Sequence, residues 1–278
     1  MTLAQVQARI AAHPVTGTPD DMRRAFEALA VNTAQGQWVS RAGMSARVFG
    51  EGSDVVWLHG GGYVFGSPDS HAASAASLAQ MAGMRVWVPA YRLAHEHIWP
   101  AQLDDATDFI RSFDSPVAVV GDSAGGHLAL NIARRADANI SALALISPNT
   151  DRSGLSATRR TNSLSDLMND ADDDAALARM AMPHLDHASH DASPLLANLS
   201  GLPPVWVTAA TNEVLLDDTL LLIRALGRAG VTTQADIKKG LFHLWTLWPD
   251  LLPDARDTLS KIAAFLRASK RIDPTKGS

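Results

Sequence analysis

The segment Gly121-Asp122-Ser123-Ala124-Gly125 follows the apolar, β-branched run Val117-Ala118-Val119-Val120 and opens into a helix-forming stretch. Roughly 60 residues upstream, His59-Gly60-Gly61-Gly62-Tyr63 follows a second such run, Val55 to Leu58. Glycines placed directly after two strands signal sharp turns there and a backbone that must come close to something. That requirement suits a parallel sheet, whose ligands sit beyond the carboxyl ends of the strands.

The rest of the chain supports such a sheet. Val86 to Val88, Ala142 to Ile146 and Val205 to Thr208 are further apolar runs of strand length, and Thr232 to Ile237 alternates more. Trp38 to Ser40 and Ala46 to Phe49 read as an opening hairpin. Helical stretches lie between or after these runs: Ser70 to Ala82, Ala101 to Phe113, Ala124 to Arg135, Leu215 to Ala229 and Pro253 to Ala268. The expected fold class is α/β, a mostly parallel sheet with helices on both faces. Met1 to Thr33 reads as helical, and Asp151 to Leu199 breaks the strand–helix rhythm as mixed helix and loop. We expect one domain over residues 1–278, capped by about 1–35 and by the insertion at about 151–199. The polar tail from Lys270 to Ser278 is expected to fray.

Composition excludes several alternatives. A net charge of −5 with both signs scattered lacks the basic face of a nucleic-acid binder. The chain has no cysteine, which rules out disulfides, thiolate metal sites and a cysteine nucleophile. No stretch is long and apolar enough to span a bilayer, and Met1 to Gly17 lacks a signal-peptide plan. A soluble, cytoplasmic protein is expected.

A serine hydroxyl is a weak nucleophile and must be held proud of the sheet beside a base. A strand–Gly-x-Ser-x-Gly–helix elbow holds it so, and Ser123 is the expected nucleophile. A chance Gly-x-Ser-x-Gly is common, but this one has the required strand before it and helix after it. The N–H of Ala124 opens the helix and faces a developing oxyanion, with the helix dipole behind it. Three successive glycines after His59 exceed what a turn needs, so Gly61 and Gly62 are expected to supply the other oxyanion donors. A phosphate loop is excluded because no Gly-Lys-Ser/Thr follows. His59 reads as a structural anchor.

With such an elbow, acid and then base follow the serine along the chain. Of ten histidines, five precede Ser123, His127 lies on the elbow helix, and His184, His187 and His190 fall in the insertion. His243, after the final strand, is the expected base. Glu213, just past the strand ending near Ala210, is the preferred acid. Asp217 is the alternative; with Asp218 it falls at a helix start, where carboxylates are favoured without further function.

Other groupings read as structural. The three insertion histidines drift around a helix and read as a polar loop rather than zinc ligands. Asp170 to Asp174 reads as a solvated face or helix start. Tyr63, Phe65, Phe242 and Trp245 are candidate pocket walls, with core packing as the alternative.

Taken together, His59-Gly60-Gly61-Gly62-Tyr63, Tyr91-Arg92-Leu93-Ala94, Glu96-His97, Pro100-Ala101, Asp104-Asp105-Ala106, Gly121 to Gly126, Ser193-Pro194-Leu195, Gly201-Leu202-Pro203-Pro204 and Phe242-His243-Leu244-Trp245 resemble the HGGG, hormone-sensitive-lipase-like family of bacterial esterases with the α/β-hydrolase fold. The resemblance spans about Val55 to Leu266. It implies a triad of Ser123, Glu213 and His243, oxyanion donors Gly61, Gly62 and Ala124, a carboxylesterase for short- to medium-chain esters, no cofactor, and often a dimer. The chain departs from the family pattern at His95, where proline is usual, and at Glu213, where many relatives carry Asp. Residues 151–192 match nothing closely, and substrate choice is expected to be set there. The same triad also serves amide or formamide hydrolases, and a non-catalytic small-molecule receptor is a third reading that the intact His243 opposes. The last strand, Thr232 to Ile237, is expected at the sheet edge, where exposed backbone invites a homodimer.

Overall fold

In the computed structural model, residues 3–30, 34–135 and 139–270 are described. The end of the N-terminal helical segment, at 31–33, and the tail expected to fray, beyond Lys270, lie outside them. The central parallel strands are mostly apolar and buried because helices cover both of their faces, whereas the parallel edge strand at Thr233–Lys238 is mixed and partly exposed. The eight strands run in the order β1-β2-β4-β3-β5-β6-β7-β8. They are β1 (Gln37–Arg41), β2 (Met44–Phe49), β3 (Asp54–Leu58), β4 (Arg85–Pro89), β5 (Val117–Asp122), β6 (Ile140–Ile146), β7 (Val205–Ala210) and β8 (Thr233–Lys238). The β1–β2 hairpin pairs antiparallel and joins β4 antiparallel; every pair from β4 to β8 is parallel.

Side chains alternate between two cores. Val55 and Trp57 face one, Val56 and Leu58 the other. The first is closed by α3 (Ala72–Ala82) and α9 (Pro253–Ser269), whose Leu259, Ile262, Ala263 and Leu266 form one apolar stripe. The second is closed by α4 (Ala101–Arg111), α5 (Ala124–Ala133) and α8 (Leu216–Arg228).

The N-terminal segment forms α1 (Leu3–Ala12) and α2 (Pro19–Leu29). Thr18 and Asp21 form a reciprocal capping box at the start of α2, with Pro19 in its first turn. Arg23 then reaches out of α2 to the carbonyls of Val64 and Ala94, at 3.0 and 2.8 Å, and pairs with Glu96. It thereby fastens the N-terminal helices to the loop that follows the glycine run. The neighbouring Ala94–His95 peptide, where the family pattern has proline, is cis. The segment between β6 and β7 contains α6 (Thr158–Thr161) and α7 (Ala171–Ala181), with turns elsewhere. Among the described residues, no helix is long and apolar enough to cross a membrane.

Leu128 is fully buried on α5, whereas Leu164 is 102% exposed. Leu128→Ala is expected to lower unfolding free energy in a denaturant titration by about 2–5 kcal/mol. Leu164→Ala is expected to stay within about 0.5 kcal/mol of the parent.

Candidate active site

Parallel pairing sets the site. In the β3–β5 register Leu58 lies opposite Gly121, so the two glycine segments leave the sheet side by side. Ser123 sits between β5 and α5 at φ 53°, ψ −118°, a strained turn for a residue with a Cβ. Its N–H donates to the Ile146 carbonyl at 2.9 Å, tying the elbow to β6. Gly125 explains the absence of a side chain there: a Cβ would fall 1.9 Å from the Leu58 carbonyl oxygen. Gly61, at φ +114°, would drive a Cβ to within 2.3 Å of the Phe65 carbonyl oxygen.

Asp122 joins the two segments. Its buried carboxylate accepts from the Gly60 N–H at 2.9 Å, the Trp57 indole N–H at 2.7 Å and His71 Nε2 at 3.1 Å. Burial works against this charge, yet His71 and the indole donor hold the carboxyl below its ordinary value. Composition and spacing gave no hint of this role, because Asp122 occupies the variable position of the elbow pattern. His59 is buried and neutral, pushed down to about 3 by burial and then by His71. Its ring stacks on Tyr91 at 4.2 Å, and Tyr91 Oη donates to the His59 carbonyl. His59 therefore anchors the loop, as its place in the sequence suggests.

Three expected residues come together from three strand ends. Ser123 Oγ lies 2.9 Å from His243 Nε2, and His243 Nδ1 lies 2.7 Å from Glu213 Oε2. The other Glu213 oxygen accepts from the Ala210 N–H at 2.6 Å and the Ser147 hydroxyl at 2.8 Å. The carboxylate is thus held on both oxygens, and Nδ1–H donates to it. Burial disfavours the imidazolium of His243. The hydrogen bond and charge of Glu213, with the charges of Asp166 and Asp122, outweigh burial and raise the imidazole above its ordinary value. Asp217 lies elsewhere: its carboxylate accepts from the Ala157 and Thr158 N–H groups, at 2.9 and 3.1 Å.

Ser123 and His243 open into a cavity of about 70 Å³, which Gly61, Gly62 and Phe65 also line. Ala124 is the first residue of α5, where N–H groups lack an intrahelical partner. The other aromatic candidates fall in the core. Tyr63 donates to or accepts from His127 Nδ1 at 2.6 Å and packs on Trp99. Phe242 packs against Trp248, and fully buried Trp245 points its indole N–H at Thr258. These three are taken up by core partners and do not line the cavity.

The walls that residue reading missed come from two separate segments: Met22 and Phe26 of α2, and Met168, Ala176 and Leu177 of the insertion. The spacing Met22, Phe26, Leu29 is an apolar helix stripe and carried that signal. Asp170 caps α7, as expected of a helix start, by accepting from Asp172 and Asp173 N–H at 2.8 Å. Asp174 departs from the solvated-face reading. It is buried and pairs with Arg152 and Arg159, the latter also bridging to Asp218. His184, His187 and His190 are exposed on turns, and among the described residues no cluster of three or more metal-ligating side chains is present.

Comparison with known proteins agrees with this architecture. A family model described as alpha/beta hydrolase fold matches residues 55–247. An acetyl-hydrolase of Streptomyces hygroscopicus is 32% identical over 229 residues, which are 79% of this chain and 77% of that protein. The carboxylesterase/phospholipase LipF of Mycobacterium tuberculosis is 32% identical over 233 residues, 78% of this chain and 62% of its own length. The crystal structure of an esterase from the bacterial hormone-sensitive lipase family matches with a TM-score of 0.89 at 28% identity, over 96% of this chain and 97% of that one. Fold, strand-end geometry and relatives agree: the chain belongs to the alpha/beta hydrolase fold family, among its bacterial hormone-sensitive-lipase-like esterases.

Proposed function

We propose that this chain is a serine carboxylesterase acting on short-chain esters through Ser123, His243 and Glu213. The observation that carries the reading is the hydrogen-bonded chain from Ser123 Oγ through His243 to Glu213, open to one small cavity. Ser123 Oγ attacks the ester carbonyl while its proton passes to His243 Nε2. The carbonyl oxygen becomes an oxyanion held by the N–H groups of Gly61, Gly62 and Ala124. The intermediate collapses, the C–O bond to the alcohol breaks, and the leaving oxygen takes the proton from Nε2. Water then attacks the acyl-enzyme, giving its proton to Nε2, and the acid leaves as that proton returns to Ser123. Glu213 keeps the proton on Nδ1 and stabilises the imidazolium in both halves. No cofactor enters this scheme.

A cavity of about 70 Å³ supports small acyl groups. So does the name of the acetyl-hydrolase relative. The helices α1 and α2 and the insertion act in this reading as a cap. The edge strand β8 leaves one row of backbone groups unpaired, which supports a homodimer through that strand.

Ser123→Ala is expected to lower hydrolysis of p-nitrophenyl acetate by several orders of magnitude in a folded protein. An organophosphate is expected to label each chain once, at Ser123. Labelling of another serine by mass spectrometry overturns the assignment. In a panel of p-nitrophenyl esters the optimum is expected at acetate or butyrate, and a long-chain optimum overturns the short-chain reading.

Glu213→Gln is expected to reduce kcat by ~10³–10⁴, by analogy with the aspartate of serine proteases. Asp217→Asn is expected to leave kcat nearly unchanged, with a stability loss of about 1–3 kcal/mol from two weakened carboxylate bonds. The reverse pattern identifies Asp217 as the acid.

The base must be neutral to accept the proton from Ser123. Since the imidazole of His243 is raised, kcat/KM is expected to climb with pH through one ionisation above the ordinary value of ~6.5. A limb centred clearly below that value contradicts His243 as base in this environment.

A further inference from the structure

The first half of the insertion lies along the loop that carries Glu213. Asn162 Nδ2 donates to the carbonyls of Thr211 and Glu213, at 3.0 and 2.9 Å. Ser165 Oγ donates to the Asn212 carbonyl at 3.0 Å, and Thr158 Oγ1 to that of Val214 at 3.0 Å. In the other direction, Asp217 N–H donates to Thr158 Oγ1 at 2.8 Å. Side chains of Thr158, Asn162 and Ser165 thus take up backbone groups of the loop Thr211 to Leu215, and of the first turn of α8, that have no strand or helix partner.

Asp166 extends this contact to the second loop. Its Oδ2 accepts from the N–H of Val214, the residue after Glu213, at 3.1 Å. Its Oδ1 accepts from the N–H of His243 itself at 3.0 Å, and from Met168 N–H at 3.2 Å. One carboxylate from outside both loops therefore spans the backbone of the acid loop and that of the base loop. The Gly240 N–H to Thr211 Oγ1 bond, at 2.8 Å, is a second tie between the same loops. Charged groups that bear on the imidazole are Glu213 from the β7–α8 loop, Asp122 from the end of β5, and Asp166. Burial raises the Asp166 carboxyl well above its ordinary range; His243 and its backbone donors pull it back, while Glu213 pushes it further up.

We propose that Asp166 is a positioning residue for ester hydrolysis: it fixes the spacing of the Glu213 and His243 loops and holds a second carboxylate at the backbone of the His243 loop. This rests on the triad reading above. The cost of losing it follows from geometry, since displacement of a reacting group by about 1 Å can lower rate ~10²-fold. Its charge also favours the imidazolium, so removing that charge lowers the imidazole's pKa.

The test compares Asp166→Asn, Asp166→Glu and Ser123→Ala on p-nitrophenyl acetate, with circular dichroism to establish folding. Asp166→Asn keeps the shape and one acceptor oxygen. It is expected to lower kcat by ~10- to 100-fold, to leave KM within about threefold, and to move the acid limb of kcat/KM to lower pH. Asp166→Glu keeps the charge on a longer stem. It is expected to lower kcat while leaving the acid limb near that of the parent. If Ser123→Ala is inactive but Asp166→Asn retains kcat within about twofold and an unmoved limb, the assignment of Asp166 is overturned and the triad reading stands. A fall in kcat for Asp166→Asn with an unmoved limb overturns it as well, leaving a structural residue only. Retained hydrolysis by Ser123→Ala instead overturns the triad reading itself.

Discussion

The parallel pairing of β3 with β5 is the constraint on which the site depends. Leu58 opposite Gly121 brings the glycine loop and the elbow out of the sheet together. The missing side chain at Gly125 then lets the elbow helix start directly against the Leu58 and His59 carbonyls. A slip of one residue would reverse which side chains face which core. Asp122 completes the join by holding the Gly60 N–H from the elbow side. The start of the glycine loop is therefore set by a strand register and a single buried carboxylate.

Charge is distributed unevenly around this join. His59, pushed down to about 3, remains neutral, as does His127, also at about 3, where burial is the first cause and the Arg152 charge the next. His243 alone among the three gains carboxylate neighbours that overcome its burial. Three buried imidazoles of the same chemistry thus differ in proton affinity through their neighbours. The His243 ring is bonded to Glu213 with the Asp166 charge nearby, whereas His59 and His127 have a carbonyl, hydroxyls and other rings as hydrogen-bond and stacking partners.

Much of the fold was legible because its signals are local. β5 opens with four apolar residues, Val117 to Val120, and α9 carries its stripe at helical spacing, so both could be read within a residue or two at most ends. The strand-end glycines and the late histidine were legible for the same reason, since chain order in an elbow fold restricts the acid and base to the segments after Ser123. Side-chain direction within loops was not. Tyr63 and Phe65 are two residues apart, yet one packs on His127 and the other lines the cavity. Asp166 and Asp174 were illegible for a different reason. Their partners lie up to 77 residues away in sequence, and an acidic residue in a polar segment carries no local mark that it will be buried against an amide or an arginine.

The insertion between β6 and β7 combines two roles with different tolerance for change. Thr158, Asn162, Ser165 and Asp166 are committed, bond by bond, to the backbone of the loops that carry Glu213 and His243, while Met168, Ala176 and Leu177 face the cavity and the turns around His184 to His190 face solvent. In evolution or in a mutant library, this divides the segment. Substitution of Met168, Ala176 or Leu177 reshapes the cavity wall without removing any of those side-chain bonds, and all three lie from position 168 onward. Recombination breakpoints placed before it would exchange a brace along with a wall, and chimeras built that way should fail in turnover before they fail in recognition.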